Sequence, residues 1–195
     1  YEAMRPMFEA FRVNRSVGTG VIQWMLNSAW PSFYWQLYDY YLLPTSAYYA
    51  ARKANAPLQI VYNYGNHSLY MVNETPEDLT RLKARIRLVD LNGREILSEE
   101  RMLASAKNST LKIYTVPAVT GISFLSLELL NKKDETLADN FYWLSPREDE
   151  YAWDKTEWYY TPLKVSADFR ALNYMAPADV NVGLTHQIID NQLMV

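Results

Sequence analysis

The 195-residue sequence has no cysteine, which excludes a disulfide framework, a thiolate nucleophile and any sulfur-ligated metal site. Histidine is nearly as scarce. His67 and His186 stand in separate regions without ligand-spaced neighbours, so neither a metal site nor a histidine-based triad has support. No apolar run reaches the roughly 18 residues that suggest a membrane span. Charge of one sign is not in excess either: 19 basic against 22 acidic residues give a net charge of -3, too little positive field to draw in nucleic acid or anionic lipid. The glycine-rich cradles that hold nucleotides are missing. These absences set the expectation of no nucleic-acid partner, no membrane, no metal and no cofactor.

Aromatic residues are abundant: six Trp and sixteen Tyr, concentrated at 24–49 and 141–160 rather than spread along the chain. A flat ring packs on the apolar C–H face of a pyranose while polar groups take the hydroxyls, so such clusters suit sugar binding. Composition alone favours the simpler use, filling a core. Position must decide between them. Four glycosylation sequons begin at Asn14, Asn66, Asn73 and Asn108, a short motif that matters only in a glycosylating host.

The hydrophobic pattern changes along the chain. Met4, Met7, Phe8 and Phe11 have the spacing of a helix with one buried face, which tolerates Pro6 only if the helix begins close to it. Val21 to Leu26 reads as a short strand buried on both faces, and Asn27 to Ser32 as a loop at its C-terminal end. Trp35, Tyr38, Tyr41 and Leu42 form a second helical stripe ended by Pro44. Thr45 or Ser46 then caps a helix with Ala47, Ala50, Ala51 and Ala54 on one face.

After Pro57 the period becomes two. Leu58, Ile60, Tyr62 and Tyr64 alternate with other residues, and Leu82, Ala84, Ile86 and Leu88 alternate with Arg81, Lys83, Arg85 and Arg87. Asn92-Gly93 signals a hairpin, and further strands are expected at 94–103, 110–116, 122–130 and 136–144. About seven strands in about ninety residues suit a sandwich of the immunoglobulin type. The row of basic residues reads as a solvated strand face that protects an edge. Residues 146–195 read as a charged linker, an aromatic stretch and, at Val180 to Leu184, the start of a further strand. The opening Tyr-Glu-Ala-Met is no initiator or signal sequence and runs straight into a helical pattern, so the chain is expected to start inside a domain.

Two carboxyl groups facing each other across a sugar would be needed for glycoside hydrolysis. Glu2, Glu9 and Asp39 are instead expected to be isolated, solvated surface acids.

Glu2 to Met4, Phe8 to Phe11, Thr19 to Asn27, Ala29 to Ser32, Trp35 to Tyr41 and Ala47-Tyr48 together resemble glycoside hydrolase family 2, most of all its exo-β-D-glucosaminidase and β-mannosidase-like branch. The resemblance is close over residues 1 to about 73 and continues more loosely through Asn140 to Ser145 and Trp153 to Pro162. It implies a mainly β chain: an immunoglobulin-like β-sandwich preceded by the last α/β elements of a TIM barrel. Residues 1–13 would be the seventh barrel helix, 20–26 the eighth strand and 35–54 the closing helices. The domains would be 1–55, 56–145 and 146–195.

The family's acid/base and nucleophile glutamates follow the fourth and seventh strands. Both would precede Tyr1, so no catalytic residue is expected here. The implied activity is that of a retaining exo-β-glycosidase acting on terminal glucosaminide or mannoside, with a carbohydrate substrate and the remainder of the barrel as partners and a periplasmic or extracellular location. Trp24 would lie under the sugar about to be cleaved, with Asn27 and Trp30 on the loop above as substrate-binding residues. The alternative is a non-catalytic β-sandwich binding glycan or protein through the aromatics at 141–160.

Overall fold

In the computed structural model, residues 1–32 and 35–176 are described, together with the backbone of Gln187–Ile189 and Gln192–Met194. The expected strand at Val180 to Leu184, and His186, lie outside the described residues. Two helices come first, α1 (Met4–Val13) and α2 (Ser46–Ala54). Seven strands follow: β1 (Leu58–Asn63), β2 (Ser68–Asn73), β3 (Leu79–Asp90), β4 (Glu95–Ser105), β5 (Ser109–Thr115), β6 (Ser123–Leu130) and β7 (Thr136–Leu144). Short pieces follow, β8 (Glu150–Tyr151) and β9 (Leu163–Val165), then β10 (Gln187–Ile189) and β11 (Gln192–Met194).

The seven strands form two antiparallel sheets, ordered β1-β2-β5 and β4-β3-β6-β7. Chain connections cross between the sheets, as in immunoglobulin-like sandwiches. Between them Ile60, Leu69 and Met71 meet Ile86, Leu88, Leu125, Leu127, Leu129 and Tyr142, all fully buried. Each such side chain contributes roughly 1.5–3 kcal/mol of transfer free energy, which explains why the period-two pattern governs this part of the chain. Asn92-Gly93 does close the β3–β4 hairpin, with Gly93 at φ 76°, where a side chain would be strained.

The basic row lies on a solvated face as expected, but it protects no edge. β3 is interior to its sheet, so there is no edge to protect. Arg85 pairs with Glu100 at 3.0 Å and Glu128 at 2.9 Å on the strands either side, Lys83 with Asp134 and Arg87 with Glu95 at 3.3 Å. Apart from Lys83–Asp134, whose acid lies in the β6–β7 turn, these are cross-strand pairs on a solvated face.

The N-terminal part departs further from expectation. α1 begins at Met4, which leaves Pro6 in the first turn, where its missing N–H costs nothing. Thr45 caps α2 by accepting from Ala47 N at 3.2 Å, and Ala47, Ala50, Ala51 and Ala54 are buried as their spacing indicates. Neither the strand at 20–26 nor the helix at 35–42 forms, so the described residues do not show the expected end of a TIM barrel. A strand needs main-chain partners. No described strand lies beside 20–26, and Ile22 is 90% exposed. The helix is replaced by bonds across the loop: Tyr38 N donates to Leu26 O, Asp39 N to Leu43 O and Thr45 N to Leu37 O, while Leu42 is left-handed at φ 62°.

Candidate functional site

All three residues expected to bind sugar lie on the segment between α1 and α2. Trp24 and Trp30 are 75% and 68% exposed, and Asn27 is half-buried. The segment is organised by two runs, 23–27 and 35–38, lying side by side. Gln23 Nε2 donates to Trp35 O at 3.1 Å, Trp35 Nε1 donates to Trp24 O, and Asn27 and Tyr38 form a parallel bridge. The Trp24–Met25 peptide bond is cis. Asn27 turns its amide to Ser28 O at 3.2 Å, and Ser28, buried below it, accepts from Ser32 Oγ at 3.4 Å. Among the described residues no hydrogen bond or ring contact joins the side chains of Trp24, Asn27 and Trp30 to one another. The backbone of one loop groups them. Along the same segment Val17, Leu26, Tyr41, Leu42 and Leu43 are all more than half exposed, uncovered apolar side chains of the kind that mark contact sites.

A second cluster escaped the sequence reading. Glu9, expected to be solvated, is 1% exposed, and Arg5 is equally buried. They form the seam between α1 and the sandwich. Tyr142 Oη donates to Glu9 Oε2 at 2.9 Å, and Asn140 Nδ2 donates to Ile60 O at 2.8 Å and reaches Glu9 Oε1 and Gln59 Oε1 at 3.3 Å. Arg5 donates to Asn140 Oδ1 at 3.1 Å and Phe141 O at 2.8 Å, pairs with Glu2 at 2.8 Å and lies over the Tyr142 ring. Arg12 fastens the other end, donating to the carbonyls of Ala54 and Ala56 and pairing with Glu74 at 3.0 Å.

Burial outweighs the nearby Arg5 charge and pushes the Glu9 carboxyl up to about 7, and it also raises the Tyr142 hydroxyl well above its ordinary range. Such a shift can mark catalysis. Here both Glu9 oxygens are engaged by Tyr142 and Asn140 inside a packed joint, so the group fastens structure and faces no substrate cleft. The only sequence hint was that Arg5 and Glu9 sit four apart on the face that also carries Phe8.

Residues 65–147 match the Mannosidase Ig/CBM-like domain family. That defines the class of the sandwich. Most of the chain is homologous to a region of exo-β-D-glucosaminidases: it is 37% identical to the enzyme of Amycolatopsis orientalis, with 92% of this chain and 18% of that protein covered. It is 33% identical to the enzyme of Hypocrea jecorina, with 93% of this chain and 21% of that protein covered. The crystal structure of the Amycolatopsis orientalis exo-chitosanase CsxA is similar with a TM-score of 0.88 at 34% identity, over 98% of this chain and 24% of that one. The chain thus spans about a fifth of the length of the curated relatives it matches.

Proposed function

We propose that the chain is part of a retaining exo-β-glycosidase that removes terminal β-linked glucosamine. In this reading residues 1–55 complete a catalytic barrel supplied by the rest of the protein, and the sandwich braces it. The observation that carries the reading is the extent of the similarity. It runs over 98% of the chain, so it includes both helices and the Trp24 loop, beyond the sandwich that the domain family covers. The exposed apolar loop between α1 and α2 supports it as well, because missing barrel neighbours would leave such a surface uncovered.

In the whole enzyme Trp24 lies under the reacting sugar, with Asn27 and Trp30 beside it. A ring there holds the pyranose against two carboxyl groups in the distorted geometry of an oxocarbenium-like transition state, so it acts on turnover as well as affinity. Both carboxyl groups come from outside this chain, and the isolated chain is expected not to hydrolyse aryl β-glycosides. Trp24→Ala in the whole enzyme should cost roughly 2–4 kcal/mol in kcat/KM, about thirty- to thousand-fold, with the fold retained. A destabilised enzyme with unchanged kcat/KM would end the case for Trp24 as a sugar platform. Comparing p-nitrophenyl β-glucosaminide with the β-mannoside tests the sugar, and faster turnover of the mannoside would overturn that assignment.

A further inference from the structure

Gln23 and Trp35 make a reciprocal clamp on the loop that carries Trp24. The Gln23 side chain donates to the main chain of Trp35, and the Trp35 side chain donates to the main chain of Trp24. Three residues further along, Tyr38 N donates to Leu26 O at 2.9 Å and continues the pairing of the two runs. Backbone ladders ordinarily hold such a segment; here 20–26 has no described strand beside it, and side chains share the task. An indole N–H is a donor with one hydrogen and no acceptor function, so its bond specifies one direction of approach. Its acceptor is the carbonyl of Trp24 itself. The bond therefore restrains the peptide plane next to the Cα from which the Trp24 ring projects.

We propose that Trp35 is a positioning residue for Trp24: its indole N–H, with the Gln23 amide as counterpart, holds the Trp24 main chain so that the exposed ring projects toward the sugar from a fixed place on the loop. This rests on the reading of Trp24 as the sugar platform. A ring carried on a main chain fixed before binding avoids the cost of ordering that stretch of loop, and it meets the pyranose in one place rather than in several. Loss of the clamp should act through Trp24 and through nothing else at the site.

The test is a double-mutant cycle in the whole enzyme, assayed at steady state with p-nitrophenyl β-glucosaminide. Trp35→Phe keeps the ring bulk and removes the one donor; Trp24→Ala removes the platform and keeps the carbonyl. Trp35→Phe is expected to lower kcat/KM by about three- to ten-fold, the range of one neutral hydrogen bond. In the Trp24→Ala background the same change should alter kcat/KM by less than about two-fold, because there is no ring left to orient. Gln23→Ala should repeat both results at smaller size and keeps the test open if Trp35→Phe fails to fold. An equal loss in both backgrounds, or none in either, overturns the positioning role while leaving the platform in place. An unchanged kcat/KM in Trp24→Ala alone is the separate result that removes the platform, and the clamp's purpose with it.

Discussion

The hydroxyl of Tyr142 donates to Glu9 Oε2 at 2.9 Å, tying strand β7 to helix α1 across 133 residues of sequence. Polar and charged groups surround this contact on one side, Arg5 on the helix, Glu2 just before it, Asn140 on the same strand and Gln59 on β1, while the Tyr62 and Tyr64 rings pack against Tyr142 on the other. The helix is thereby bound to the sandwich through a buried network in which Arg5 Nε, 3.8 Å from Glu9 Oε1, is left without a hydrogen bond. Such networks are sensitive to the loss of any member, because the partner left behind is buried and unpaired.

Stability should carry a pH dependence from Glu9. Its folded carboxyl titrates at about 7 against 4.5 for the ordinary group, so the folded state binds the proton more tightly. The resulting stabilisation is full below about 4.5 and is lost as pH rises through 7, a contribution of roughly 3 kcal/mol. Glu9→Gln cannot titrate. Urea unfolding of both proteins from pH 5 to pH 8 should show the wild type losing stability relative to the variant as pH rises, and parallel curves would mean that Glu9 is not held as described.

Tyr142→Phe keeps the ring in the core and deletes only the hydroxyl. It should cost about 1–3 kcal/mol, the penalty for leaving a buried acceptor without its donor. An effect below about 0.5 kcal/mol in denaturant unfolding would show that water replaces the bond and that the seam is wetter than the packing indicates.

Trp24 and Leu127 should behave oppositely in the chain by itself. Leu127 is fully buried between the sheets, and Leu127→Ala should cost about 2–5 kcal/mol. Trp24 is 75% exposed, and its truncation should stay within about 0.5 kcal/mol despite the larger volume removed. A large loss of thermal stability in Trp24→Ala would place the ring in a core after all.

The span 56–145 should unfold cooperatively on its own, because seven paired strands enclose its core. It should nevertheless be less stable than the span 1–145. Removing the helices strips partners from Asn140, Gln59 and Tyr142 and uncovers one edge of the sandwich. A broad, non-cooperative melt would place the domain boundary elsewhere than near Pro57.

The sandwich was legible because burial there follows local alternation. Leu82, Ala84, Ile86 and Leu88 are inside because a strand's side chains must alternate, and the Asn92-Gly93 turn sets where the next strand begins. The Ala face and Thr45 cap of α2 could be read for the same reason. The Trp24 loop could not. Its residues have strand-like and helix-like spacing, yet both forms need neighbours or an uninterrupted turn, and Tyr38 instead gives its N–H to Leu26 O. Trp24 and Trp30 could be named from the sequence as candidates, but the Trp35 clamp could not, since it joins residues eleven apart through one indole.

By itself the sequence determined the number and order of the sandwich strands, the start of α2 at Thr45 or Ser46, and the absence of thiol and of any large charge imbalance, because each follows from local chemistry and short-range periodicity. Only the tertiary structure decided which charges are buried. Glu9 and Asp39 are both lone acids among aromatic and apolar residues in sequence, yet Glu9 is 1% exposed beneath Tyr142 and Asn140, while the Asp39 carboxylate accepts from Leu43 N at 2.9 Å in an exposed turn. Burial of a charge depends on whether distant partners supply its hydrogen bonds, and those partners are brought in by the closing of the sandwich against α1.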